Sequence, residues 1–362
     1  MSSAKARNPG IELARIFGCL IVIGCHVYLP IVVDGSIDSS RALVGSVFAD
    51  GVAIFWLILG FFLFQNKSYE KQLRHMAIRI LLPMFLFSVF SFYVFPYVSG
   101  SADSLSASLH QPGSAYKEAF KSLLRWQPPV QGHLWYLYIY VLVILLFPAL
   151  QGMVQTLARS RKLRVGALLL AALVFAVNVF TNNQMMQFSH YTIGGTVPAA
   201  MIAVFGHFLF THKDRLEKYG FFAPLLFIAV NALRTILYRR GYHTILYWYS
   251  ISGVVCASCV IAFSLRVVAA FRNDRFHRWI STIASYTFLV YLFHFYPIRI
   301  LDRLNFNVQL LAALKGLPSY GVDLLYPVIL AVLVFLMTLV IAVVVRALAM
   351  GLRYCIRQRS TS

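Results

Sequence analysis

The chain has 362 residues, 60% hydrophobic and 12% charged, with a mean hydropathy of +0.73. That balance excludes a soluble globular enzyme and points to a polytopic membrane protein. A net charge of +20 would suit a nucleic-acid binder, but the placement of the charges assigns most of it to membrane topology.

A hydrocarbon core about 30 Å thick needs about 20 apolar residues per helix. Ten runs of that kind appear, at 11–33, 42–65, 75–99, 133–154, 163–180, 190–211, 219–238, 244–271, 279–300 and 322–349. They predict an all-α integral membrane protein of about ten transmembrane helices. A single membrane domain is expected over 1–362, with a bundle over 11–349 and a tail over 350–362. With the N-terminus in the cytoplasm, 21 Lys and Arg fall on that side, ten on the other, and Arg15 inside the first run. Both termini are therefore expected to be cytoplasmic.

Lys5 and Arg7 precede the first run, but Glu12, Arg15 and the lack of a small-residue cleavage site argue against a signal peptide. Its stretch "RIFGCLIVIGCH" places Arg15 and His26 eleven residues apart. At 100° per residue that is about three turns plus roughly 20°, so both leave one helix face about 16 Å apart. Glu12 lies one turn before Arg15, within pairing reach. An ionisable group inside a bilayer costs several kcal/mol, so the aligned set Glu12, Arg15 and His26 is a catalytic candidate.

The third run opens with "KQLRHMAIRILLP", where Lys71, Arg74, His75 and Arg79 form a basic entrance suited to phosphate. Pro83, four residues after Arg79, predicts a kink there. A polar stretch over 100–132 follows. Its segment "AYKEAFKSLLRW" sets Ala119, Phe120, Leu123, Leu124 and Trp126 against Lys117, Glu118, Lys121 and Arg125, an interfacial helix. "GHLWYL" brings His133 and Trp135 to the outer end of the fourth run. "ASYTFLVYLFHFYP" brings Ser285, Tyr286 and His294 to the ninth. Of the five cysteines, Cys19, Cys25, Cys256 and Cys259 lie inside runs and Cys355 in the tail. They are expected as free thiols. No Walker motif, dinucleotide fingerprint, metal-ligand cluster or internal repeat is present.

These motifs, in this order over essentially the whole chain, resemble the acyltransferase 3 family of integral-membrane O-acyltransferases. The resemblance rests on "GIELARIFGCLIVIGCH", "RILLP", "GHLWYL" and "SYTFLVYLFHF". It implies transfer of an acyl group, commonly acetyl from cytoplasmic acetyl-CoA, to a sugar hydroxyl at the outer face of a bacterial inner membrane. O-antigen, exopolysaccharide and lipid-linked precursors are among the implied acceptors. By position, Arg15 and His26 match the family's essential pair, and Arg79 its basic third-span motif. Where many members carry two arginines three residues apart, this chain has Met76, and Arg74 or His75 stands as the substitute. His133, Trp135, Ser285, Tyr286 and His294 are acceptor-side candidates. No metal, no permanently bound cofactor and no nucleic acid is implied, only acetyl-CoA, a glycan acceptor and lipid. No appended soluble domain is expected, so transfer would be completed within the membrane domain.

The rival reading is a proton-coupled exporter with Glu12, Arg15 and His26 as a proton relay. The scarcity of acids in the runs, Glu12 and Asp50 among them, and the absence of repeats count against it.

Overall fold

The computed structural model describes residues 8–65, 68–109, 115–125, 131–188 and 193–359. Among them the regular structure is helical, apart from a short antiparallel hairpin of β1 (Val32–Val33) and β2 (Ser36–Ile37). In chain order the first helices are α1 (Pro9–Gly24), α2 (Ser39–Phe48), α3 (Gly51–Leu63) and α4 (Tyr69–Met76). A π-helical segment, Ala77–Leu81, leads into α5 (Leu82–Ser99), and α6 (Leu105–Leu109) and α7 (Ala115–Arg125) follow. Next come α8 (Trp135–Leu145), α9 (Phe147–Arg159), α10 (Arg161–Phe180), α11 (Thr196–Thr211), α12 (Lys213–Tyr219) and α13 (Ala223–Arg239). The chain continues through α14 (Ile251–Ala270), α15 (Asp274–Ala284), α16 (Thr287–Phe293), α17 (Phe295–Arg303), α18 (Phe306–Leu314) and α19 (Ser319–Arg359).

Each of the ten expected runs contains helix among the described residues, the start of the sixth, 190–192, lying outside them, but the number of long unbroken apolar helices is smaller. Five among the described residues are long and apolar enough to cross a membrane, and two bent pairs raise this to seven. Proline accounts for the bends. Pro148 lies at the start of α9, where α8 and α9 meet at 65°, and Pro224 at the start of α13, which meets α12 at 84°. Proline lacks the N–H that would bond to the carbonyl four residues back. Pro297 likewise follows the break between α16 and α17. The first run was expected to 33, yet α1 stops at Gly24 and the chain turns into the hairpin.

α1 lies at the seam between two apolar clusters. Ile11 and Ala14 join one, centred on α3, α8, α11 and α14, while Leu13, Ile16, Cys19 and Ile23 join another with α16, α17 and α19. Groups projecting from α1 are thereby placed at the centre of the bundle. Around it, Leu169, Leu173, Leu225, Ile228 and Val340 leave an exposed apolar surface that suits acyl chains.

Backbone contact sets the closest helix pair. A methyl group at Gly60 of α3 would fall 1.8 Å from the Ala203 carbonyl oxygen of α11, and one at Gly206 would fall 2.3 Å from the Leu57 carbonyl oxygen. Small residues permit this approach where apolar side chains give no preference over lipid. Gly60→Ala is expected to destabilise the protein by about 1–3 kcal/mol through overpacking. A lowered midpoint of thermal denaturation in detergent would register it; an unchanged midpoint would contradict the close approach.

The amphipathic helix forms as α7, though its buried face differs from expectation. Ala115, Ala119 and Ser122 are buried and Phe120 is exposed. Small residues let α7 lie against α5, and the Ser122 and Tyr138 hydroxyls are 3.2 Å apart. Phe120 is left for the interface; Trp126 lies outside the described residues. Cys19, Cys25, Cys256 and Cys259 are free thiols.

Candidate active site

Two cavities approach a cluster of histidines from opposite ends of the bundle. The first, of about 550 Å³, lies toward the Lys- and Arg-rich end and is walled by Arg15, His75, Arg79, Ser285 and the aromatic rings of Tyr136, Tyr140 and Tyr291. Arg15 Nη1 donates to Glu12 Oε2 at 3.0 Å, with Glu12 buried, so the expected pair forms. Arg79 sits in the π-helical segment. Pro83 cannot donate to the Arg79 carbonyl, and the Leu82 N–H reaches back instead to Ala77, five residues away. The expected kink is thus absorbed within one continuous helix from Tyr69 to Ser99.

Met76 faces the core, and of its two possible substitutes only His75 joins the cavity wall. Lys71 and Arg74 are exposed on α4 and outside that wall. Ser285, expected with the acceptor side, shares the cavity with Arg15 and Arg79 instead. The reason is its place at the start of the ninth run, soon after Arg275 and Arg278. Arg346 of α19 also arrives here: its Nη1 donates to Ser285 Oγ at 2.9 Å, and its guanidinium lies 5.0 Å from the Tyr286 ring centroid. Tyr286 therefore belongs to this end as well.

His26, His133 and His294 meet where the two halves join. His26 follows the last residue of α1 by two and lies in a turn, its N–H donating to the Ile23 carbonyl at 3.0 Å. The single-face geometry expected for Arg15 and His26 stops at Gly24, and the two residues line different cavities. The His26 ring stacks on His294 at 5.5 Å between centroids, and His133 approaches His294 at 4.7 Å. Phe295 packs against both outer members, 4.8 Å from His26 and 4.6 Å from His133. The sequence pattern placed His133 and His294 near the outer interface; the contact of His294 with both His26 and His133 is a tertiary feature.

The tautomer of His294 follows from its bond. Nδ1–H donates to the Tyr291 carbonyl at 2.7 Å, which leaves Nε2 with a lone pair, buried and unpartnered. Both ring nitrogens of His133 are likewise buried without a partner among the described residues, while the Tyr291 hydroxyl donates to the His133 carbonyl. Unpaired buried polar atoms are costly, so their concentration here makes the cluster a candidate for ligand contact. A gap of about 10 Å³ bounded by Cys19, Val22, Phe55, Tyr291 and His294 touches the first cavity's wall. It is at the limit for one water, about 10–15 Å³.

The second cavity, of about 380 Å³, is lined by His26, Phe295, Arg299, Asp302, Asn307 and Tyr326, among others. It opens at the connection between α17 and α18, on the side opposite the basic end. Trp135 lines neither cavity: half-buried, it stacks on Trp248 at 5.8 Å and meets Tyr136 of the first cavity's wall at 6.3 Å.

Sequence reasoning also missed a buried ion pair. Arg234 Nη1 donates to Asp50 Oδ2 at 2.5 Å and to the Ser46 carbonyl at 3.0 Å, and its Nε to the Ile245 carbonyl at 3.2 Å. Arg234 was counted with the outer charges, yet it is fully enclosed. An acid at the α2–α3 break was the one available signal.

Apolar helices enclosing polar cavities and the buried His133 and His294 define a multi-pass membrane protein with an internal candidate site. The family model described as an acyltransferase domain matches residues 8–347. The chain belongs to the acyltransferase 3 family and is a membrane acyltransferase of that family. No curated protein and no solved structure matched it.

Proposed function

We propose that this protein transfers an acetyl group from cytoplasmic acetyl-CoA to a sugar hydroxyl of a surface polysaccharide or its lipid-linked precursor, in a bacterial inner membrane. One observation carries the reading: a basic cavity walled by Tyr291 and a polar cavity lined by His26 lie on either side of the ring contacts among Tyr291, His133, His294 and His26. The phosphates of acetyl-CoA suit Arg79 and His75, with Lys71 and Arg74 at the approach, and the pantetheine arm runs past Arg15 toward the histidines.

His26 then takes the proton of the acceptor hydroxyl. The oxygen attacks the thioester carbonyl carbon, the C–S bond breaks, and CoA leaves as thiolate and is protonated. Glu12 positions Arg15 and has no separate chemical step. In a second route a His26 ring nitrogen attacks the thioester carbonyl carbon and the C–S bond breaks with CoA leaving as thiolate; the acceptor oxygen then attacks the acetyl carbon, the C–N bond to His26 breaks, and the hydroxyl proton ends on the freed imidazole.

The test gives purified protein in liposomes radiolabelled acetyl-CoA and an extract of lipid-linked saccharide from the producing cells. Label on the saccharide supports the reading. Movement of an unmodified solute with no label transferred would establish the exporter instead. Arg79→Ala is expected to raise the KM for acetyl-CoA by about 10–100-fold, the equivalent of one lost hydrogen bond to a charged group. An unchanged KM would remove Arg79 from the donor site.

A further inference from the structure

The cavity beyond His26 has a polar wall that donor chemistry does not use. Asp302 lies in the last turn of α17. Asn305, left-handed at φ 53°, reverses the chain at once, and its N–H donates to the Asp302 carbonyl at 3.0 Å. Asparagine tolerates that backbone conformation better than most residues. The reversal brings Asn307 back over Asp302, so that its Nδ2 donates to Oδ1, while Arg299 Nη1 donates to Oδ2 at 3.2 Å. One carboxylate is thus held between an amide and a guanidinium, facing the cavity that His26 also lines.

A carboxylate offers more acceptor sites than these two donors fill, and the guanidinium has N–H groups to spare. The trio therefore presents acceptors and donors side by side, with its charges balanced. Adjacent hydroxyls on a sugar ring present the same two functions and carry no charge. Phe295 and Tyr326 supply apolar and aromatic walls for the ring's carbon face. The volume, about 380 Å³, lies near the lower end of small-molecule sites, roughly 300–1,000 Å³. It suits a short saccharide segment.

We propose that Asp302, Arg299 and Asn307 form the acceptor site, holding a neutral vicinal diol of the saccharide so that a hydroxyl lies against His26. This rests on the acetyl-transfer reading above and adds to it the residues and the charge class of the acceptor. It also explains why His26 sits past the end of α1: in the turn it reaches the outer cavity, as a residue within the helix facing Arg15 does not.

The experiment measures acetyl transfer in liposomes against dilutions of the lipid-linked saccharide extract, and separately against acetyl-CoA, for wild type, Asp302→Asn and Asn307→Ala. Both variants are expected to raise the half-saturating extract dilution by about tenfold or more and to leave the KM for acetyl-CoA unchanged. Asn307→Ala keeps Asp302 and the turn in place, so a folding defect in Asp302→Asn does not remove the test. Asp302→Glu is expected to restore part of the acceptor affinity. If wild type transfers label and neither variant alters the extract dependence, or both alter acetyl-CoA dependence equally, the acceptor site is elsewhere. If wild type transfers no label, the acetyl-transfer reading falls and takes this proposal with it.

Discussion

His26→Ala is expected to lower acetyl transfer by about 10²–10⁴-fold, the contribution of a positioned base, with the protein still monodisperse in detergent. His26 lines the outer cavity and stacks on His294, so its loss removes the group nearest the acceptor without opening the inner core. The KM for acetyl-CoA should not change, because Arg15, His75 and Arg79 line another cavity. Exchange of labelled CoA into acetyl-CoA without acceptor separates the two proposed routes. Exchange that wild type supports and His26→Ala abolishes marks His26 as acetyl carrier; its absence in wild type leaves His26 as base. Wild-type transfer by His26→Ala would sink both roles.

The second large effect is structural. Asp50→Ala is expected to destabilise the protein by about 3–5 kcal/mol, because it leaves Arg234 charged, buried and without its counter-ion. The two side chains are essentially inaccessible, at 1% and 0%, so water offers no substitute. Replacing both, as Asp50→Asn with Arg234→Met, is expected to recover much of the loss, since a buried pair often roughly balances its own desolvation. The midpoint of thermal denaturation reads both variants. Neither residue lines the donor or acceptor cavity, so the double variant should keep its transfer rate. A stable double variant that transfers nothing would mean that the pair takes part in the reaction.

Much of this was legible along the chain because its signals are local. Apolar runs of membrane length marked the helices, and Glu12 and Arg15 pair as their spacing requires. Pro83 announced a disturbance near Arg79, though not that it would become a π-helical segment inside an unbroken helix. Prolines also stand at the bends that split the fourth and ninth runs and at the bend that opens the seventh. The count of ten spans ignored them, as hydropathy registers composition and not the missing N–H.

What the sequence by itself determined is the solvent: with so few charges, every element had to satisfy its backbone within a helix, and the basic stretches had to stay in water. It also supplied the candidate groups, His26, His133, His294, Arg15 and Arg79. Only the tertiary structure decided how they divide. His133 is more than a hundred residues from both His26 and His294, and only packing at the seam beside α1 brings their rings within contact. The stop at Gly24 turned Arg15 and His26, on one face by helical arithmetic, toward separate cavities. The Asn305 reversal returned Asn307 to Asp302, while α19 carried Arg346 to Ser285. Periodicity reports which face of one helix a residue occupies; which foreign group meets that face depends on closure of the whole bundle.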